Sequence, residues 1–277
     1  MAKALGGEGN NPKKSKVESA IRSYREKIGA TVQQGYGKPF FKTNVWKHMR
    51  NALRIALDEN AIVVVYGKPG IGKSKALNEF ALREMSRAPL IVLCSRNINA
   101  SFFVEYIAQE LRVKSSGSIA KIENEICKKL QKRPCSIFVD QANFLGERSF
   151  GSICQFWEKA KISIALVGTK DLYDSFMRST LTEDVRAQLT SRIAIHYSLP
   201  ELELEEVKAI VQYTLGEEAT DEIIAQIYNI TGGIHRNVDM LLARILDLKS
   251  KNFELLDSEE IDIKEIITVA GSRLMIA

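Results

Sequence analysis

The chain has 277 residues, 45% hydrophobic and 26% charged, with 39 Lys and Arg against 34 Asp and Glu for a net charge of +5. This suits one large α/β domain with a small appended one and excludes intrinsic disorder; with no apolar stretch near the roughly 18 residues a membrane span needs, and no apolar core behind the N-terminal charges, neither membrane insertion nor secretion is expected. A cytoplasmic setting is expected; Cys94, Cys127, Cys135 and Cys154 form no C-x-x-C pair and only three histidines are present, so the thiols read as buried and no zinc site is expected.

The basic excess lies at the front: residues 1–50 carry 11 Lys and Arg against 3 Asp and Glu, and the remainder carries 28 against 31. Residues 1–16, rich in Gly, Asn and Lys, read as a flexible basic tail, and 17–45 as a basic helical segment in which Val17 to Ile28 puts Arg22, Arg25 and Lys27 on its polar side. Such an arm suits phosphate-backbone contacts, or it is a solvated tail that keeps the protein soluble. Residues 46–200 read as a nucleotide-binding αβα domain and 201–277 as a helical lid with a C-terminal tail.

Ala61 to Tyr66 is apolar and β-branched enough to be a buried strand, and Gly67-Lys-Pro-Gly-Ile-Gly-Lys73-Ser74 completes G-x-x-x-x-G-K-[ST] directly after it. With a helix expected from Lys73 to Arg87, this is a P-loop in its proper context. Its glycines let backbone N–H groups turn onto phosphates, Lys73 reaches the β/γ oxygens and the Ser74 hydroxyl is placed for Mg²⁺. The candidate nucleotide contacts are Gly67, Pro69, Gly70, Ile71, Gly72, Lys73, Ser74 and Lys75, and the expected ligands are ATP and Mg²⁺.

Leu90 to Cys94 reads as a second strand, followed by amphipathic helices from Ala100 to Leu111 and Ile119 to Leu130. Cys135-Ser-Ile-Phe-Val-Asp140 is a strand ending in a carboxylate, the expected second Mg²⁺ partner beside Ser74. The next position calls for a glutamate that activates water, and Gln141 stands there. Its amide can hydrogen-bond a water but cannot take up a proton, so general-base assistance of about 10²–10⁴-fold should be missing. Two origins fit: an engineered Glu→Gln exchange that traps the ATP state, which we favour, or a natural ATP-locked switch.

Phe150 to Lys161 reads as a helix, Ile162 to Val167 as a strand ending in Gly168-Thr169, and Ile193 to Tyr197 as a fifth strand. From there only helices are expected: Glu205 to Leu215, Asp221 to Ile230, Ile234 to Lys249 and a weaker one from Ile261. The fold class is therefore α/β, a parallel αβα sheet followed by a small helical lid. Thr231-Gly-Gly-Ile-His-Arg236 marks a helix stop and restart whose arginine is placed to report on a γ-phosphate, and Arg192, just before the last strand, stands where an arginine finger belongs, with Arg186 as the competing candidate.

Taken together, GKPGIGKS, IFVDQANFL, LVGTKDL, QLTSRI and TGGIHRNVDMLL resemble the AAA+ ATPases of DNA transposition, the MuB/TnsC group with IstB as a more distant relative, over about Phe40 to Ser250. The run FFKTNVWKHMRNALRIALDENAIVVVYGKPGIGKS is similar to the MuB lead-in to its P-loop, and VDQANFL to that group's D-E-A-[DH]-x-L. The resemblance implies a catalytic set of Asp140, Gln141 at the glutamate position, Thr169 as sensor 1, Arg192 as the trans-acting finger and Arg236 as sensor 2. It implies a bacterial or phage-associated ATPase that forms an oligomer or helical filament on duplex DNA, without sequence preference, and works with a transposase and a target-selecting protein. The matching DNA contacts are Arg96, Asn97, Lys114, Ser118 and Lys121, of which Ser118 and Lys121, at a helix start, are preferred. The front segment does not resemble the helix-turn-helix domain of MuB. Two rivals remain: a helicase loader of the DnaC type that prefers single strands, and a signalling NTPase that binds no DNA.

Overall fold

The computed structural model describes residues 39–83, 90–94, 99–114, 116–177, 183–255 and 263–272. Residues 1–38, with the expected tail and basic helix, lie outside the described residues, as do Arg96, Asn97 and the last four residues of the expected P-loop helix. Contacts divide the chain at Phe41/Lys42, and every helix and strand of the described residues belongs to the unit from Lys42 onward.

In chain order the elements are α1 (Asn44–Glu59), β1 (Ile62–Tyr66), α2 (Lys73–Arg83), β2 (Leu90–Leu93), α3 (Ala100–Glu110), α4 (Ile119–Lys132), β3 (Ile137–Asp140), α5 (Glu147–Ala160), β4 (Ile164–Gly168), α6 (Lys170–Met177), α7 (Glu183–Thr190), β5 (Ile193–Ser198), α8 (Leu204–Leu215), α9 (Asp221–Thr231), α10 (His235–Leu255) and α11 (Ile263–Ser272). The strands form one parallel sheet in the order β2-β3-β4-β1-β5, with Val64 of β1 opposite Leu166 of β4 and His196 of β5. Parallel strands need both faces covered, which is why β1 and β4 read as unbroken apolar runs.

The two faces separate by alternation. Ile62, Val64, Ile137, Val139, Ile164 and Leu166 join one core with Phe103 and Ile107 of α3, Ile122 and Ile126 of α4, and Phe150, Ile153 and Phe156 of α5. On the opposite face Phe138 meets Phe80 of α2, ring centroids 6.0 Å apart. Strand β5, at an edge, alternates half-buried and exposed residues. Helices α8 to α11 form the lid, each packed on the next, with Val207, Ile210, Ile223, Ile227, Leu241, Leu242 and Ile267 buried among them.

The five expected strands are all present, as is the lid, with shifts of a few residues at element ends. Three helices, α1, α6 and α7, are additions to the sequence reading. The residues of α1 do carry its signal: Thr43 Oγ1 accepts the Trp46 N–H as N-cap, Asn60 closes the helix in the left-handed conformation (φ 49°), and Val45, Met49, Ala52, Leu53 and Ala56 are buried at helical spacing. Its far end is fixed by the Trp157 indole N–H, which donates to the Asn60 carbonyl at 2.7 Å, and its middle by a hydrogen bond between His48 Nδ1 and Tyr197 OH. The thiols differ from expectation at one place: Cys94, Cys127 and Cys154 are buried, but Cys135, two residues ahead of β3, is only half-buried. Among the described residues no helix is long and apolar enough to cross a membrane.

The sheet passes to the lid through residues 199–203. Leu199 N–H donates to the Tyr66 carbonyl at 2.7 Å and Leu202 N–H to the Gly233 carbonyl at 2.9 Å. Gly233 is left-handed (φ 68°), and a Cβ there would lie 2.5 Å from the Leu202 carbonyl oxygen. Gly233→Ala is therefore expected to cost more than about 1 kcal/mol in urea unfolding, and Gly232→Ala, also left-handed but in open space, less. Equal midpoints for the two variants would show that the close approach is not what Gly233 supplies.

Candidate nucleotide-binding site

The loop from Gly67 to Ser74 leaves the C-terminal end of β1, where open α/β sheets place their ligands. Gly70 (φ 83°) and Gly72 (φ 102°) are both left-handed. At Gly72 the conformation alone calls for glycine, since a Cβ would meet nothing within 4 Å; at Gly70 it would stand 3.1 Å from both Arg236 Cβ and Ile234 Cγ2 of the lid. Lys73 folds back over the loop and donates to the carbonyls of Gly67 and Lys68 at 2.8 and 2.7 Å. Its pKa is lowered to about 8, chiefly by burial and further by the Arg236 guanidinium, with Asp140 acting in the opposite direction. A half-buried ammonium that donates to two neutral carbonyls is a favourable site for phosphate.

A cleft of about 660 Å³ opens over this loop. Of the nucleotide contacts expected from the sequence, Pro69, Gly70, Gly72, Lys73, Ser74 and Lys75 line it. Ile71 is instead 1% exposed and Gly67 lies behind the loop, where a Cβ would be 2.5 Å from Ile71 Cδ1. Ile71 anchors the loop from within.

Asp140 ends β3, is buried, and accepts the Gln141 N–H at 2.9 Å through Oδ1, while its carbonyl accepts the Cys94 N–H at 3.0 Å. Burial and the nearby Asp140 push the Cys94 thiol up to about 12, so it is inert. Gln141 is exposed on the cleft in a left-handed conformation (φ 55°, ψ 37°), an arrangement that costs a non-glycine residue about 1–2 kcal/mol. Thr169 also lines the cleft and donates its hydroxyl to Asp171 Oδ2 at 3.2 Å, which leaves its oxygen able to accept. Strain and unspent acceptors gathered at one place are a mark of functional sites.

Sequence reasoning missed Asn143. Its Oδ1 accepts the Thr169 N–H at 3.3 Å and stands 3.0 Å from where a Cβ on Gly168 would be, so the turn after Asp140 is tied to the end of β4 while the side chain lines the cleft. The clue lay in VDQANFL, where Asn143 falls on the [DH] position.

The lid closes the cleft with one face of α10: His235, Arg236, Asp239, Met240 and Ala243. Arg236 is brought in by its backbone, whose N–H donates to the Gly70 carbonyl at 2.9 Å. His235 Nδ1 lies 3.1 Å from Asp239 Oδ2. These neighbours of Arg236 were not singled out from sequence, because a face of a lid helix is known only once the lid is docked.

The other expected residues are not brought together. Arg192 lies outside the cleft lining and is ion-paired with Glu158 of α5, and Arg186 is half-buried on α7. Lys114, Ser118 and Lys121 are exposed. Ser118 begins α4 without a side-chain cap bond, and the Lys121 stem lies over Gly117, its Cδ 3.1 Å from a Cβ placed there.

Comparison with known proteins agrees with this geometry. Residues 55–176 match the AAA domain family. The chain is 25% identical over 220 residues to the Mu-like prophage FluMu DNA transposition protein B of Haemophilus influenzae, covering 78% of this chain and 75% of that one. It is 23% identical over 226 residues to the ATP-dependent target DNA activator B of Escherichia phage Mu, covering 81% and 72%. Among solved structures it resembles the Aeropyrum pernix ORC1 protein in complex with DNA (TM-score 0.57, 15% identity, 82% of this chain and 64% of that one). It also resembles the Thermotoga maritima RuvB Holliday junction branch migration motor (TM-score 0.52, 18% identity, 83% and 68%). At those identities the structures speak for the fold alone. Sheet order, P-loop and lid, together with the match to the AAA domain, give the chain the P-loop fold of AAA+ type, and its curated relatives make it similar to the MuB-like ATPases of DNA transposition.

Proposed function

We propose that the chain binds ATP with Mg²⁺ in this cleft and acts as an ATP-dependent activator of transposition target DNA. In this reading it assembles on duplex DNA as an oligomer or filament, presents the bound site to a transposase, alone or with a target-selecting protein, and is released as ATP is hydrolysed. The observation that carries the nucleotide half is the convergence of Lys73, Ser74, Asp140 and Arg236 on one cleft. The DNA half is supported by the phage Mu relative, an ATP-dependent target DNA activator by name, and by the exposed Lys114, Ser118 and Lys121.

Lys73 and the loop amides would hold the phosphates, and Ser74 with Asp140 the metal. One buried carboxylate and one hydroxyl suit Mg²⁺, which takes few protein ligands and fills its shell with phosphate oxygens and water. When bound, the ion neutralises charge on the β and γ phosphates. Gln141 orients a water without accepting its proton, Thr169 offers a second acceptor, and Arg236 senses the γ-phosphate. Arg192 acts on a neighbouring subunit's nucleotide, for which its pair with Glu158 has to open. Chemistry here sets the lifetime of the assembly, and with Gln141 that lifetime is long.

Fluorescence anisotropy of labelled duplex and single-stranded DNA with ATP, ADP or no nucleotide, at two salt concentrations and paired with electron microscopy, tests the reading. Binding to duplex that needs ATP and weakens with salt is expected, since phosphate contacts dominate. Preference for single strands would point to a helicase loader, and no binding to either would leave only a nucleotide switch.

Gln141→Glu should raise steady-state phosphate release at least about tenfold; an unchanged rate would discredit the assignment of this position. ATP affinity should also fall as pH rises. Lys73 is charged below its pKa of about 8 and neutral above it, and bound phosphate favours the charged form, so affinity is full at pH 7 and falls about tenfold by pH 9. Titration calorimetry that finds the same affinity at both values would contradict that role for Lys73.

A further inference from the structure

One carboxylate stands where sheet domain and lid join. Glu206, in the first turn of α8, closes a capping box: the Glu203 side chain accepts its N–H, and its Oε2 accepts the Glu203 N–H at 2.9 Å. Its other oxygen, Oε1, accepts the N–H of Asn44, the first residue of α1, 162 positions away in the chain. Helix α1 opens the sheet domain and α8 opens the lid. Both ends carry unpaired amides and partial positive charge, so a half-buried carboxylate between them binds two helix starts at once. A further side-chain contact near this join, Lys68 to Glu201 at 2.6 Å, is largely exposed on the lysine side and holds weakly.

We propose that Glu206 is a positioning residue that fixes the angle of the lid on the sheet domain and thereby the reach of Arg236 into the cleft. Its functional consequence rests on the nucleotide reading; its structural consequence does not. Besides the linker through residues 199–203 and the exposed Lys68–Glu201 pair, the described residues tie the lid through Glu206 near the hinge and through the Gly70–Arg236 backbone bond at the tip. Releasing Glu206 leaves the linker and the tip to carry the orientation.

The chemistry dictates the variants. In Glu206→Gln one acceptor becomes an NH₂ group, which cannot accept from a second amide. Asn44→Pro removes the other partner's N–H and leaves the capping box intact: proline is favoured at the first helical position, and Thr43 before it is already extended at φ −67°, ψ 169°. Spin labels at Glu110→Cys and Tyr213→Cys, both exposed, in a Cys135→Ala background of the full chain, report the distance between α3 and α8. Electron–electron resonance should find that distribution broadened by both variants and unchanged by the exposed neighbour Glu205→Gln. ATP affinity should drop about fivefold in Glu206→Gln, and not at all when Arg236→Ala is already present. A distribution unchanged by both variants overturns the proposal whatever ATP does, and additive losses overturn the route through Arg236. A parent chain that binds no ATP overturns the nucleotide reading, while the distances still decide the clamp.

Discussion

The lid meets the phosphate-binding loop through a hydrogen bond between main-chain atoms, from the Arg236 N–H to the Gly70 carbonyl at 2.9 Å. Much of the site depends on it. Gly70 has to be left-handed and without a side chain for the two segments to approach, and the approach puts the first turn of α10 at the cleft. Lys73 then lies within the field of the Arg236 guanidinium as well as that of Asp140. A change in the loop's backbone is therefore a change in where the lid stands, with no intervening side chain to absorb it.

The parts of this arrangement that are local in sequence were legible there. The Ile-Val-Val-Val run of β1 announces a buried strand because both faces of a parallel sheet are covered. The glycines and lysine of the P-loop, the carboxylate closing β3 and the Gly-Gly break before α10 are each fixed by the chemistry of a few neighbouring residues. What escaped depends on assembly. Helix α1 has its cap, its apolar spacing and its left-handed Asn60, but a motif-directed reading passes over it on the way to the P-loop. Asn143 matters through Thr169, 26 residues on, and His235 and Asp239 through the docking of α10.

Arg192 marks the limit of positional reasoning. Its place before β5 follows from chain order, but its partner, Glu158, lies 34 residues back on another helix. Burial and charge around Lys73 likewise come from three segments, the loop, the end of β3 and the start of α10, and no local pattern conveys their sum. The sequence carries the types of chemistry; the fold decides which charges face one another.

The turn after Asp140 is shaped by bonds in which the Gln141 side chain takes no part: its N–H goes to Asp140 Oδ1 and its carbonyl accepts the Phe144 N–H. Glutamine and glutamate are alike in size and differ in their codons by a single base. Exchange between them is thus open to one point mutation and is nearly silent to folding. On the proposed function, such an exchange alters how long the ATP complex lasts and leaves in place the main-chain bonds that shape the turn.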